Sequence, residues 1–307
     1  MKLLLRLKLI ALFLFVSNVS AKEIIIEPGP NAYDEVQEAM ILMDEGDTLI
    51  LRSGNYSFED GLSLDVANVT IQGEGMDKTI LNFDRQVSGA QGLLVTSDSV
   101  TLKDFSILNA KGDALKVIGA DGISMIRLKT EWTGGPKSTN GAYGFYPVES
   151  ENVLIDDCVA IGASDAGIYV GQSSQIIVRN SRAEYNVAGI EIENSTFADV
   201  YENVATNNTG GILVFDLPNL EVQGGQSTRV FKNEIYRNNT ENFAAEGTAV
   251  SGVPKGSGIL INSNDLVEVF NNEFSDNDTA NIVISSYFSA NFAGQRELAE
   301  EFDPYPE

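Results

Sequence analysis

The chain has no histidine among its 307 residues. This absence excludes Ser-His-Asp and Cys-His nucleophile systems, the usual zinc sites, and acid–base catalysis by imidazole. Cysteine is nearly absent too: Cys158 stands alone and cannot form an internal disulfide, and its strand–turn position favours a buried structural thiol. Catalysis in this chain would therefore depend on carboxylates, Lys, Arg, Tyr or a bound hard cation.

Basic residues are scarce, with 20 Lys and Arg against 44 Asp and Glu, which gives a formal charge of −24. Three of the basic residues lie in the first 21 positions, where there is no acid, so the rest of the chain carries about −27. Nucleic acids and anionic membranes bind basic patches, so we expect neither as a partner. A polyanionic sugar would need a bridging cation.

A largely apolar run, Leu7 to Val16 with Lys8 near its start, follows a basic start and is followed by the small residues Ser20 and Ala21. This order predicts a secretory signal peptide at residues 1–21 that is cleaved before Lys22. A non-cleaved anchor is the competing interpretation, but the run is short for a membrane span. We therefore expect an exported protein, periplasmic or extracellular, without membrane insertion after cleavage.

A 22-residue repeat organises the centre of the chain, where Ile168, Ile190 and Ile212 each follow a glycine. Apolar residues alternate with polar ones here instead of recurring every 3.6 residues. A fixed period with short β-rich pieces and Asn/Gly turns is typical of a solenoid. The aligned apolar positions are Phe145, Ile168, Ile190, Ile212, Ile259 and Ile282. They predict coils over residues of about 57–287, with one coil enlarged by insertions at about 217–227 and 239–257.

Two further series of residues have matching steps of 22, 30 and 39. They are Ser181, Asn203, Asn233, Asn272 and Asn186, Asn208, Asn238, Asn277. Asparagines stacked at one turn position bond to one another and to the backbone along the axis, so these series predict structural side-chain ladders.

Residues 33–43 predict a short amphipathic helix before the coils. Its apolar face consists of Val36, Ala39, Met40 and Met43. Such a helix would cover the open end of a solenoid, which otherwise exposes apolar side chains and unpaired strand edges.

These features resemble the right-handed parallel β-helix proteins of the pectin-lyase-like superfamily. GDTLILRSGNY at 46–56 and NVTIQGEGMDKTIL at 68–81 are similar to the usual entry into that fold. The stretches EWTGGPKSTNGAYGFYPV, SDAGIYVGQS, RAEYNVAGIEIENS and NTGGILVFDLPNLEVQGG look like a bacterial exported β-helix repeat family of unsettled activity.

The resemblance implies an all-β, right-handed parallel β-helix that forms a single domain over residues 22–307. Residues 22–56 would form its N-terminal cap, and residues 288–307 either a polar tail or the point where a further coil is missing. The superfamily also implies a carbohydrate substrate, although a fold does not fix a function. Its His-containing hydrolase and epimerase patterns cannot apply here, and no position matches the aspartates of its calcium-dependent lyases.

Alternation along the strands predicts an outward-facing stripe of side chains next to the inward Phe145, Ile168 and Ile190. The stripe comprises Lys116, Tyr146, Tyr169, Glu191, Leu213, Glu193 and Phe215. Insertions at 131–143 and 239–257 would be the walls of a groove with this stripe as its floor. We predict substrate binding by Tyr146, Trp132, Glu193 and Phe215. The alternative is an ordinary solvated strand surface.

Two functions remain open on this evidence. One is a binding module for a polysaccharide or an extended protein partner. The other is a His-independent polysaccharide lyase or epimerase-like enzyme, with Tyr169 or Lys116 as base and Glu191 as a further catalytic group. Ca²⁺ held by Glu191 and Glu193 could stabilise the enolate. Asp156, Asp157 and Asp165 are interpreted as turn acids, with a metal-binding role as the alternative.

Overall fold

The computed structural model describes residues 21–289 and 302–307. The predicted signal peptide therefore lies, apart from Ala21, outside the described residues, as does most of the predicted tail. Within the described part, no helix is both long and apolar enough to cross a membrane.

An α-helix, Ala32–Leu42, follows the first strand, Glu23–Ile26, and agrees with the helix predicted at 33–43. Its apolar face is buried as predicted, with Val36 and Met40 in the core that runs through the coils. Gln37 fixes the helix to the first coil, since its side chain donates to the Ser63 carbonyl at 2.9 Å and accepts from the Ser63 N–H at 2.8 Å. The helix thus covers the N-terminal end of the core.

The coils consist of three parallel sheets that the chain visits in turn. Sheet 1 contains Leu62–Leu64, Gln91–Val95, Asp113–Ile118, Tyr143–Val148, Ala166–Gly171, Ala188–Glu193, Gly210–Phe215, Ser257–Asn262 and Ala280–Ser285. Sheet 2 contains Glu23–Ile26, Thr48–Leu51, Thr70–Gln72, Val100–Lys103, Asp121–Ile126, Glu151–Asp156, Ser174–Arg179, Thr196–Tyr201, Gln226–Phe231 and Glu268–Phe270. Sheet 3 contains Gly54–Ser57, Thr79–Asn82, Ser106–Leu108, Lys129–Glu131, Val159–Ile161, Arg182–Glu184, Val204–Thr206, Glu234–Tyr236 and Glu273–Ser275. A 3₁₀-helix, Ala249–Gly252, lies in the larger insertion. The parallel β-helix predicted from the sequence is confirmed.

The register of sheet 1 is the predicted one. Phe145 pairs with Ile168, Ile168 with Ile190, and Ile190 with Ile212. The series then continues to Ile259 across both insertions. Side chains of these residues point inwards and fill the core between the three sheets.

Both asparagine ladders are present. In the first, the Asn203 Oδ1 accepts from the Ser181 N–H at 2.9 Å. In the second, the Asn208 Oδ1 accepts from the Asn186 N–H at 2.9 Å, while the Asn208 Nδ2 donates to the Asn238 Oδ1 at 3.0 Å. Each buried amide therefore satisfies the turn backbone of the preceding coil and bonds to the next amide in the column.

Replacing Asn208 with Ala should lower the free energy of unfolding by about 2–4 kcal/mol, because it leaves the buried Asn186 N–H and its neighbours without partners. Urea denaturation measures this loss. Asn277→Ala is the matched control, since Asn277 lies in the same ladder but is half-exposed, where water can replace the lost bonds. Equal losses in the two variants would show that the ladder is not the source of the stability.

Cys158 is the buried structural thiol that the sequence predicted. Its Sγ donates to the Met125 carbonyl at 3.4 Å, and burial raises its pKa to about 12. A thiol held in this way stays protonated and unreactive at neutral pH.

Candidate functional site on sheet 1

The predicted outward stripe exists as a column on sheet 1. Lys116 pairs with Tyr146, Tyr169 with Glu191, and Glu191 with Leu213. Glu193 follows one outward position further along its strand. The alternation of the strands therefore places the predicted side chains on one face, as expected.

The stripe is a covered recess, and the prediction that it is the open floor of a groove is wrong. Glu191 is 1% exposed and Tyr169 4% exposed, while Phe215 is fully buried. The reason is a second hydrophobic cluster outside the coils, in which Val250 and Val253 of the 239–257 insertion pack against these strands. The insertion closes over the stripe instead of standing beside it.

The other end of the recess is more open and is lined by tyrosines. The Tyr143 ring lies 4.3 Å from the Tyr146 ring and 4.7 Å from the Tyr169 ring, centroid to centroid. The Lys116 Nζ lies 4.6 Å from the centroid of Tyr146. Lys116, Tyr143 and Tyr146 are half-buried, so this edge, with Asp113, contacts both solvent and the buried part.

Behind the tyrosines lies a cluster of carboxyl groups. The Tyr169 hydroxyl donates to the Glu193 Oε1 at 2.9 Å. This bond requires a glycine at position 171, because a Cβ there would overlap the Tyr169 phenol. Glu191 is buried beside them, and its Oε2 has no hydrogen-bond partner among the described residues.

Burial is the main cause of the unusual titration of these acids. It raises the pKa of Glu193 to about 7 and that of Asp165 to about 8, where the charge of Glu193 adds to the effect. Burial and then the charge of Asp165 raise the pKa of Glu191 well above its usual value. Burial also raises the pKa of Asp113 to about 6. The cluster therefore holds protons at neutral pH, as catalytic acids do.

The tyrosines titrate in the direction opposite to that required of a base. Burial, and then the charge of Glu193, raises the pKa of Tyr169 well above 10, and Tyr143 behaves in the same way. Proton abstraction by Tyr169 was predicted to need a phenol that loses its proton easily. The structure thus works against that role and favours Tyr169 as a hydrogen-bond donor to Glu193.

Trp132 does not reach the recess surface. It is 5% exposed, belongs to the core that runs through the coils, and donates from its Nε1 to the Ala110 carbonyl at 2.7 Å. Phe215 also lies within an apolar cluster rather than on an accessible surface. Neither ring is placed to contact a ligand directly, contrary to the substrate-binding role predicted for both.

Three residues of the recess escaped the sequence interpretation: Asp113, Tyr143 and Asp165. Asp113 and Tyr143 each lie two positions before an inward residue of the same strand, so strict strand alternation would have placed them inside the core, and it could not have identified them. Asp165 was interpreted as a turn acid, but its carboxyl belongs to the buried cluster. Asp156, in contrast, accepts from Arg179 at 2.7 Å in an ion pair on sheet 2.

Within residues 21–289 and 302–307, no group of three or more Asp, Glu or Cys side chains has an arrangement that could hold a metal ion. Glu191 and Glu193, the predicted calcium ligands, favour their protonated forms because of burial. A protonated carboxyl is a poor ligand for a hard cation. The arrangement of this site is better suited to proton transfer and hydrogen bonding than to the predicted Ca²⁺.

A family model described as a right handed beta helix region matches residues 64–226, more than half of the chain, so the chain belongs to this family. Among solved structures, an alginate lyase from Paenibacillus sp. str. FPU-7 is similar, with 16% identity and a TM-score of 0.57 over 85% of this chain and 97% of that chain. The A-module of a mannuronan C-5 epimerase from Azotobacter vinelandii has 15% identity and a TM-score of 0.41, and the match covers 89% of this chain and 94% of that chain. A pectin methylesterase from Erwinia chrysanthemi has 8% identity and a TM-score of 0.43, and the match covers 92% of this chain and 98% of that chain. No curated protein matches the sequence.

Proposed function

We propose that the protein binds an extended carbohydrate at the open edge of the sheet 1 recess. The observation that carries this proposal is the half-exposed group of Lys116, Asp113 and Tyr146 in front of a buried carboxyl cluster. Aromatic rings contact the C–H faces of sugars, while ammonium and carboxyl groups bond to hydroxyls. The alginate lyase with the similar fold acts on a carbohydrate, which supports the same class of ligand.

The recess has an accessible edge, which a ligand can contact, and a buried part behind that edge. Lys116, Asp113 and Tyr146 are accessible, whereas Glu191 is sealed by the 239–257 insertion. Folding alone would not favour four acidic groups in one apolar recess, because each loses its hydration there. Residues kept in spite of such a cost are typical of functional sites.

Lys116→Met should weaken retention on immobilised polysaccharides at least tenfold, because it removes the accessible ammonium beside Tyr146 while leaving the aliphatic stem. Affinity electrophoresis through gels with uronate and neutral polysaccharides measures the change. Lys103→Met is the matched control, since Lys103 is also half-buried on an outer strand face but belongs to sheet 2. If wild type binds no polysaccharide but does bind an extended polypeptide at this edge, a protein partner replaces the sugar.

A second candidate function is cleavage of a glycosidic bond by paired carboxyls. The specific observation in its favour is that Glu193 and Asp165 have pKa values raised to about 7 and about 8 by burial. Such groups can donate a proton to a leaving sugar oxygen near neutral pH, and a neighbouring carboxylate can activate water. The lyase and epimerase-like alternative has less support, because burial raises the pKa of Tyr169, one of the two bases proposed for it.

The products distinguish the candidates when the protein is incubated with uronate and neutral polysaccharides, with Ca²⁺ and with chelator. We expect new reducing ends without ultraviolet-absorbing unsaturated ends, and loss of this activity in Glu193→Gln. Unsaturated ends would restore the lyase proposal. Binding without either product would leave the carbohydrate-binding function alone.

We also propose that the protein is exported, on the basis of the basic and apolar N-terminal sequence. N-terminal sequencing of protein from the extracytoplasmic fraction should start near Lys22. Recovery of an intact Met1 in that fraction would contradict cleavage.

A further inference from the structure

The insertion that covers the sheet 1 recess is hydrogen-bonded to the coils near its two ends. At one end, the Thr240 N–H donates to the Asn208 carbonyl at 3.1 Å. At the other end, the Gly256 N–H donates to the Asn238 carbonyl at 2.6 Å. Between these ends lie residues 241–253, which we call the cover segment. In the part of the chain that the structure describes, no hydrogen bond joins the cover segment to any of the three sheets.

The cover segment is held in shape by its own hydrogen bonds. The Asn242 Nδ2 donates to the Val250 carbonyl at 2.9 Å and to the Val253 carbonyl at 3.0 Å. The Asn242 Oδ1 accepts from the Ala244 N–H at 2.9 Å. One amide thus connects the start of the segment to its end, so the segment can move as a unit. Such a movement bends the chain at the flanking ends, where Gly256 has a left-handed φ of 84°.

Apolar contacts hold the cover segment on sheet 1. Val250 and Val253 are buried in the same hydrophobic cluster as Leu213 of the sheet, and the half-buried Phe243 packs against that cluster. The contact is close, since a Cβ on Gly210 would lie 3.0 Å from both the Val253 Cγ1 and the Leu213 Cδ1. Contacts of this kind have no fixed direction and can separate without leaving a backbone group of the sheet unpaired.

A carboxyl group beneath the cover segment is left without a partner in the closed fold. Glu191 lies between Tyr169 and Leu213 in its column and is 1% exposed. Its Oε2 has no hydrogen-bond partner among the described residues. The cover segment brings it none, because the charged side chains of that segment, Glu241 and Glu246, are exposed. A buried polar oxygen without a partner opposes closure of the segment.

Opening of the cover segment therefore requires far less free energy than unfolding. Closure gains the burial of apolar side chains, but it also removes Glu191 from water without supplying a hydrogen bond. Opening returns that carboxyl to water or to the hydroxyl of a ligand. A ligand that bonds to Glu191 binds the open form alone, so it shifts the population towards that form.

We propose that the cover segment is a lid over a second sugar subsite, and that it opens so that a sugar hydroxyl can donate to the Glu191 Oε2. The sugar in this statement rests on the carbohydrate binding proposed above, whereas the opening does not. Tyr146 at the accessible edge and Glu191 belong to one column and lie two coils apart, roughly 10 Å at strand spacing. A sugar chain that runs along the axis from the edge thus reaches Glu191 once the lid is open.

The first test measures opening in the whole chain, by the labelling rate of a thiol in two single variants, Leu213→Cys and Val214→Cys. The two positions are neighbours on one strand and both are fully buried, but Leu213 faces the lid and Val214 faces the core. Labelling by an aromatic disulfide reagent should be about a hundredfold faster in Leu213→Cys, because local opening precedes unfolding. Wild type gives the background rate, since Cys158 is buried and stays protonated.

Urea distinguishes a local opening from a loss of stability caused by the variant itself. Below the unfolding transition, the labelling rate of Leu213→Cys should hardly depend on urea, because a lid that opens exposes little surface. The rate of Val214→Cys should rise steeply, because its thiol is exposed only by unfolding. Equal rates with the same dependence on urea would overturn the lid.

Glu191→Met tests the subsite under the lid. It should weaken retention on immobilised polysaccharides at least tenfold and raise the thermal midpoint, because it removes the hydroxyl acceptor and the unpartnered buried carboxyl together. A residue with a merely structural role does not change binding and stability in opposite directions. Retention equal to that of wild type would overturn the role of Glu191.

The double variant Gly210→Cys/Val253→Cys tests whether the ligand needs the lid to open. The 3.0 Å between a Cβ on Gly210 and the Val253 Cγ1 suits a disulfide between these positions. The oxidised form should lose retention at least tenfold, and a reductant should restore it in the same protein. Equal retention in the two forms would overturn the passage of the ligand under the lid. A wild type that retains no polysaccharide would overturn the sugar subsite together with the proposed function, whereas the thiol rates would still decide whether the lid opens.

Discussion

Raising the pH from about 5 to about 8.5 should lower the free energy of unfolding by several kcal/mol. Glu193 and Asp165 have folded-state pKa values of about 7 and about 8, against ordinary values of 4.5 and 3.8. The folded chain therefore keeps protons that the unfolded chain releases. The stabilisation from these two groups is fully present below about pH 4, where both carboxyls are protonated in the folded and the unfolded chain. As the pH rises from there to the folded-state pKa of each carboxyl, the free energy of unfolding falls by about 1.4 kcal/mol per pH unit for that carboxyl.

Thermal unfolding of wild type across this pH range measures the effect. Glu193→Gln should flatten the dependence, because glutamine has no proton to lose and can still accept from the Tyr169 hydroxyl. Glu221→Gln removes the same charge from an exposed position and serves as the control. If both variants follow the wild-type curve, general repulsion among the many acids of this chain is responsible and the buried cluster is not.

Gly141→Ala should be the most damaging small substitution near the site, with a loss of roughly 3 kcal/mol or more of unfolding free energy. A Cβ at this position would overlap the Gly112 carbonyl of the preceding coil and lie 2.6 Å from the Trp132 Cζ2. The following coil gives no room either, because the Ser164 N–H donates to the Gly141 carbonyl at 3.0 Å. Movement of Gly141 would also displace Tyr143, two residues later, from the recess.

Trp132 makes this prediction easy to follow, because it is the single tryptophan of the chain and contacts the position directly. Urea denaturation followed by its fluorescence should show a lower midpoint, and native emission should shift to longer wavelength as the ring gains water. Gly135→Ala, in the same insertion, has open space around its Cβ and a φ of 78°. It should cost about 1 kcal/mol from backbone strain alone. A Gly141→Ala variant as stable as Gly135→Ala would refute the close packing.

The repeating part of the molecule could be predicted from the sequence, because each coil is bound to the next by the same few interactions. Ile190 and Asn208 each recur at a fixed spacing, and spacing in a solenoid is equivalent to stacking. The capping helix was predictable for a similar reason, since its apolar face follows a simple period. Interactions that repeat from coil to coil thus appear in the sequence as residues at a fixed spacing.

The cover of the recess could not be predicted, because the insertions follow no period. Val250 and Val253 lie in a stretch without repeat partners, and nothing in their spacing shows which strand they contact. Once they close over sheet 1, an outward Glu191 becomes a buried acid and its chemistry changes. Strand alternation predicts the direction of a side chain, but burial depends on what the rest of the chain places over it.

Because neighbouring coils are evenly spaced, the length of this β-helix along its axis can change only in steps of one coil. Duplication or deletion of one 22-residue coil, such as the one between Ile168 and Ile190, preserves every pairing register on either side. It moves all that follows by one strand spacing, about 4.8 Å along the axis. The outer faces of sheet 1 and sheet 2 therefore lengthen or shorten together, by the same step, when a whole coil is gained or lost.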